Sequence, residues 1–153
     1  MNNEETTKPA YSRGLEGVIA NESALSDVRG EEGKLFYLGD GIDDLVNLCS
    51  YEEICYLLLN HKLPNRVQLL EFSEDLRSRR ELPQPLIDWL KTCPKDAPPM
   101  DVLRTGVSML GLYDSVSHAK DRTQADNMEI AKSLIARGPV IVAYFHAMRR
   151  GRE

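Results

Sequence analysis

A mainly helical fold with a small β-hairpin near its amino-terminal end is what this chain predicts, on three observations. Beyond Gly41 the apolar residues recur every three or four positions, the period of an amphipathic helix. Prolines stand at Pro85 and Pro98-Pro99 ahead of apolar runs, where the missing N–H costs a helix nothing. Before Gly41, short β-type runs bracket the turn-rich Arg29-Gly30-Glu31-Glu32-Gly33.

Residues 1–12 are polar and predict a frayed arm. Residues 13–153 predict a single helical domain, a size that buries about two thirds of the unfolded surface. The hairpin is predicted at about 17–38, with Val18-Ile19-Ala20 as one strand and Lys34-Leu35-Phe36-Tyr37 as the other. Two strands are marginal in water, so they need helices to lean on.

The first helix is predicted over residues 42–49, with Asp43 and Asp44 in the first turn where backbone amides favour negative charge, and Leu45 and Leu48 inward. Ser50 and Glu53 then spell a capping box. Ile54, Leu57, Leu58 and His61 follow at helical spacing, and Pro64 ends the element. Asn65 caps the next helix, whose stripe is Leu69, Phe72 and Leu76, widened by Val67 and Leu70. Glu71, Glu74, Asp75 and Arg77 face out.

Pro85 opens a short helix carrying Leu86, Ile87, Trp89 and Leu90, stopped by Cys93-Pro94. The helix after Pro98-Pro99 has apolar residues round most of its circumference, from Met100 to Leu112, and is predicted to be buried on most sides. Gly106 in its interior costs about 1 kcal/mol against alanine, which makes sense if another helix packs close. A dimer contact would supply that neighbour. Residues 113–124 are polar and turn-like, and a final helix runs from about Asp126 to Arg149. Gly138-Pro139 predicts a kink or break in it near Arg137. The apolar set Val140, Ile141, Val142, Tyr144, Phe145 and Met148 is more than a chain this short can easily cover, implying a partner or a further part.

Composition excludes several functions. A formal charge of −5 argues against nucleic acid or an anionic membrane as the main partner. The arginines at 77, 79 and 80 and at 149, 150 and 152 read as helix ends offsetting the macrodipole. No run is long enough to cross a bilayer, and the start lacks a signal peptide's apolar segment, so the expected location is cytoplasmic. Cys49, Cys55 and Cys93 fit neither a zinc ribbon nor a CxxC pair and predict reduced core thiols.

Neither metal nor cofactor is predicted, because His61, His118 and His146 lack HxxxH or HExxH spacing and no phosphate loop is present. Ser108 and Ser117 lack a nucleophile elbow. The neighbouring acids Asp43/Asp44, Glu52/Glu53 and Glu74/Asp75 point about 100° apart on a helix, and such pairs more often decorate a solvated face than share a proton. Trp89 reads as core. No catalytic residue is assigned.

Four stretches nevertheless carry a resemblance: Arg13-Gly14-Leu15-Glu16-Gly17-Val18, KLFYLGDGIDDL, YEEICYLLLNHKLP and DAPPMDVLRT. Together they resemble the amino-terminal part of the citrate synthase large domain, over about nine tenths of this chain and well under half of a family member. The resemblance implies a helical bundle-like part of that large domain. It also implies a homodimer through paired antiparallel helices, here about 85–92 and 99–113. The family transfers the acetyl group of acetyl-CoA to oxaloacetate, feeding the tricarboxylic acid cycle. An aspartate removes the methyl proton, one histidine hydrogen-bonds the enol and another polarises the ketone. In the family these groups lie beyond the stretch matched here. The chain is therefore expected to be an inactive amino-terminal fragment or, alternatively, a self-standing helical dimerisation module descended from the family. Pro98 replaces the histidine of the family's A-H-P-M, and Tyr37-Leu38-Gly39-Asp40 replaces its Y-R-G-Y. Neither position belongs to the catalytic trio. Citrate and 2-methylcitrate synthases are not separable on these residues.

Overall fold

The computed structural model describes residues 14, 17–19, 21–114, 118 and 120–152. The expected arm at 1–12 lies outside them. The chain divides into two compact units, Met1–Ser50 and Tyr51–Glu153.

The first unit holds a three-stranded antiparallel sheet in the order β1 (Ser26–Arg29), β2 (Lys34–Tyr37) and β3 (Asp40–Gly41), followed by helix α1 (Ile42–Leu48). The expected turn is present, since Gly30–Glu32 forms a 3-10 turn closed by Gly33 at φ 65°. The first strand differs from expectation. Ser26 pairs with Tyr37 and Arg29 with Lys34, so the residues next to the turn make the ladder, while Val18 and Ile19 are exposed and outside any strand. A hairpin register is fixed by its turn, and Val18 lies too far upstream to be set by this one. Strand β3 was not foreseen. Leu38 and Gly39 both have positive φ (52° and 96°), the requirement of a two-residue type I′ connection, and they fold β3 back on β2. In α1, Leu45 is buried but Leu48 is exposed, against the expectation that both turn inward.

The second unit comprises α2 (Tyr51–Asn60), α3 (Arg66–Ser78), α4 (Gln84–Thr92), α5 (Pro99–Leu112) and α6 (Gln124–Arg149). Helix α2 begins immediately after Ser50 and ends well before Pro64. His61, at φ 59° and exposed, takes the left-handed position that stops it. His61 is therefore a helix stop and lies off the apolar stripe. Asn65 caps α3 as expected, its Oδ1 accepting from the Gln68 N–H at 3.0 Å while Gln68 Oε1 accepts from the Asn65 N–H. Phe72 and Leu76 are buried, whereas Val67 and Leu70 are exposed, so the stripe is narrower than predicted.

The core is two clusters. Leu82, Leu86, Leu90, Val102, Leu110, Ile141 and Phe145 form the larger, between α4, α5 and α6. Cys55, Phe72, Leu76 and Ala136 form the smaller, between α2, α3 and α6. Helix α6 continues unbroken through Pro139, so of the kink or break expected near Arg137 the break does not occur. Burial of Ala136 on one side and of Ile141 and Phe145 on the other outweighs the roughly 3 kcal/mol a proline costs in a helix. The helix starts at the Thr123/Asp126 capping box, slightly earlier than expected.

Candidate functional site

Helix α5 packs closely on α6 at Gly106. A Cβ built on Gly106 would lie 3.1 Å from Ile141 Cγ2, 3.3 Å from Ile141 Cδ1 and 3.8 Å from Leu86 Cδ1. The close neighbour that the glycine implied is thus α6 of the same chain, which corrects the expectation that a dimer partner would provide it. Val102, Gly106 and Leu110, four residues apart, make the buried seam. The rest of α5 is not buried on most sides: Met100 and Leu112 are 70% and 67% exposed, and Tyr113 just past its end is 51% exposed. Apolar side chains therefore stand on the outward side of the helix that the family resemblance implicates in a dimer. Much of the apolar end of α6 is likewise covered from within, by α4 and α5, leaving Val142 as its exposed member.

Between α3 and α6 sits an ionic cluster that the periodicity did not reveal. Asp75 accepts from Arg79 Nε at 2.6 Å and from Lys132 Nζ at 2.9 Å, and Glu129 accepts from Arg79 and Lys132. Partial burial pushes the Asp75 carboxyl up, but hydrogen bonds from Arg79 and Lys132 outweigh it and hold the group below its ordinary value. Hydrogen bonds from Lys132 and Arg79 depress Glu129 likewise. Burial works against Lys132, yet its two carboxylate partners raise it above the ordinary lysine value. The sequence places Asp75 among the outward residues of its helix, and the structure half-buries it. Its i,i+4 spacing to Arg79 and the i,i+3 spacing of Glu129 and Lys132 were visible, but no sequence pattern joins positions 57 apart. Such a cluster pins the two helices together.

The three histidines stand apart. His61 ends α2, His146 lies on α6 beside Arg149, and His118 Nε2 is 2.6 Å from the Gly111 carbonyl. All three are exposed. Among the described residues no group of three or more His, Cys, Asp or Glu is placed to hold a metal ion, and no helix is long and apolar enough to cross a membrane. None of the three cysteines forms a disulfide. Burial raises the Cys55 thiol above its ordinary pKa, partly offset by a hydrogen bond with Tyr51, and burial raises Cys93 too. Of the three, Cys55 is buried and the others are half-buried, so only one is a core thiol in full. Trp89 packs on the larger cluster, as read from the sequence.

The model of the family "Citrate synthase, C-terminal domain" matches residues 14–153. The chain belongs to the citrate synthase family. It is 41% identical over 141 residues to 2-methylcitrate synthase 2 of Corynebacterium glutamicum, covering 92% of this chain and 36% of that protein. It is 40% identical over 143 residues to the citrate synthase of Haloferax volcanii, covering 92% and 38%. The crystal structure of citrate synthase from Thermotoga maritima superposes with a TM-score of 0.82 at 30% identity, over 94% of this chain and 36% of that one. The mainly helical fold with its small antiparallel sheet is thus the family's, and the chain spans little more than a third of the length of these relatives.

Proposed function

We propose that these 153 residues are the amino-terminal scaffold of a citrate synthase-type acyltransferase, located in the cytoplasm, and that none of them is catalytic. One observation carries the reading: a family match over almost the whole chain that reaches little more than a third of the relatives' length. The placement of the three histidines on separate, exposed sites supports it, because general acid-base work needs groups converging on one reacting atom. In the complete enzyme an acyl-CoA methyl or methylene carbon would lose a proton and join the oxaloacetate ketone, and water would then hydrolyse the thioester to free CoA, with acetyl-CoA giving citrate and propionyl-CoA giving 2-methylcitrate. The chain would contribute packing surfaces, including a homodimer contact through residues 85–92 and 99–113, where Met100, Leu112 and Tyr113 stand exposed. The purified chain, given oxaloacetate with acetyl-CoA or propionyl-CoA, should release no free CoA thiol above background in a chromogenic thiol assay. Turnover abolished by a single substitution in this chain would overturn the reading.

A second reading has a specific support. Pro98 stands where the family has histidine, and it serves here as the N-cap of α5 with φ −59°. Such a departure fits a self-standing, non-catalytic dimerisation module descended from the family. Light scattering on the isolated chain tests it: a self-standing dimerisation module must dimerise without any synthase subunit, and a monomer removes this reading.

A further inference from the structure

Helix α6 is the one element among the described residues that places buried side chains in both clusters, Ala136 in the smaller and Ile141 and Phe145 in the larger. The change-over falls at Gly138-Pro139. Pro139 has no N–H, so the Ile135 carbonyl lacks its usual helical donor, and the helix is at its weakest where it passes from one cluster to the other. Gly138 differs from Gly106. Its φ is not positive and a Cβ there would meet nothing within 4 Å, so neither turn geometry nor a neighbouring helix requires it. What its missing Cβ provides is relief from the clash a residue suffers before proline, together with backbone freedom. Pro139 is itself exposed and contributes nothing to either cluster. A groove of about 410 Å³ opens beside it, lined by Leu76 of α3, by Arg80 just past that helix and by Pro139, Val140 and Ala143 of α6 among others, so the second half of α6 is not closely packed on α3 there.

The two sides of this seam are each tied together internally. The Asp75, Arg79, Glu129 and Lys132 cluster locks α3 to the first half of α6. Ile141 and Phe145 lock the second half to α4 and α5. Apart from α6, among the described residues the segment 79–83 between α3 and α4 joins the two sides. We propose that Gly138-Pro139 is a hinge, about which α2, α3 and the first half of α6 swing as one body against α4, α5 and the second half. The inference does not depend on the chain's being catalytic or dimeric.

Double electron–electron resonance tests it on the whole chain, with Cys49 and Cys93 changed to Ser and Cys55 to Ala. Nitroxides go on the exposed positions Glu74→Cys in α3 and Lys91→Cys in α4, which report across the seam. The pair Lys91→Cys and Ser108→Cys, within one body, is the control, and dilution with unlabelled protein removes contacts between copies. The cross-seam distribution should be at least about twice as broad as the control, as hinge motion between rigid bodies requires. Pro139→Ala should narrow it towards the control, and Gly138→Ala combined with Pro139→Ala should narrow it further. A cross-seam distribution as narrow as the control, or one that neither variant narrows while circular dichroism shows the fold retained, overturns the hinge.

Discussion

Substitution of Gly106 by alanine sets two effects of known size against each other. Alanine gains about 1 kcal/mol over glycine in a helix interior. Against that, the new methyl would sit 3.1 Å from Ile141 Cγ2 and 3.3 Å from Cδ1, and Ile141 is 0% exposed, with no solvent side into which it can retreat. Overpacking a close-fitted core costs about 1 to 3 kcal/mol, so the clash should win and Gly106→Ala should lose about 1 kcal/mol net. A urea titration followed by Trp89 fluorescence and far-ultraviolet circular dichroism measures this. The sharper test is a double-mutant cycle. Ile141→Ala alone should cost about 2 to 5 kcal/mol, through lost burial and the cavity left behind. In that background both clashing atoms are gone, so Gly106→Ala should become favourable by about 1 kcal/mol, its propensity gain alone. The coupling energy would then be about 2 kcal/mol, well within the range found for residues in contact. An equal penalty for Gly106→Ala in both backgrounds would refute the claim that α6 of the same chain is what the glycine accommodates.

Three further outcomes follow from the packing and the charges. Asp75→Asn should cost about 1 to 2 kcal/mol at neutral pH, because it leaves Arg79 and Lys132 half-buried with a poorer partner. Since the Asp75 and Glu129 pKa values are lowered on folding, their contribution is present above the ordinary carboxylate range and disappears as pH falls through the folded values; wild type and variant should converge in acid urea titrations. Asn65→Ala and Thr123→Ala should each cost about 1 kcal/mol by removing a reciprocal cap, read as a shift in the urea midpoint at unchanged slope. Cys55, buried with its thiol pKa raised, should be alkylated by iodoacetamide more slowly than half-buried Cys93, as peptide mass spectrometry would show; the reverse order would contradict the smaller cluster.

Local chemistry was legible in the residues, and pairings across the fold were not. The Asn65 cap, the proline starts of α4 and α5 and the turn at Arg29–Gly33 are each decided within four or five positions, where backbone sterics and capping act. The first strand was misplaced because β-propensity pointed to Val18-Ile19-Ala20, while the turn selected Ser26–Arg29, a strand exposed along its whole length. Of the kink or break expected near Arg137, the break is absent for a related reason. A proline's local penalty is real, but burial on both sides of it is a tertiary gain that no local window contains. The ionic cluster was missed because its two halves lie on α3 and α6. The family, by contrast, was readable from short stretches, since DAPPMDVLRT and YEEICYLLLNHKLP keep their spacing and not merely their composition.

The Gly106 result also constrains the proposed dimer. A helix apolar on most of its circumference can satisfy one face inside the chain and still have another to offer. In α5 the inner face, Val102, Gly106 and Leu110, is consumed by α4 and α6. A contact between copies through this helix must therefore use the outward residues, of which Met100 and Leu112 carry the most exposed apolar surface. Met100→Glu with Leu112→Glu should leave the urea midpoint of a monomer nearly unchanged, because exposed substitutions away from special features shift stability by about 0.5 kcal/mol or less. The same pair should abolish a dimer formed through that face, since two copies facing each other would bring carboxylates together in a desolvated contact. Light scattering over a concentration series reads the difference. If the chain dimerises and the doubly substituted protein dimerises with the same affinity, the contact lies elsewhere, and the face of α5 has to be withdrawn as the interface.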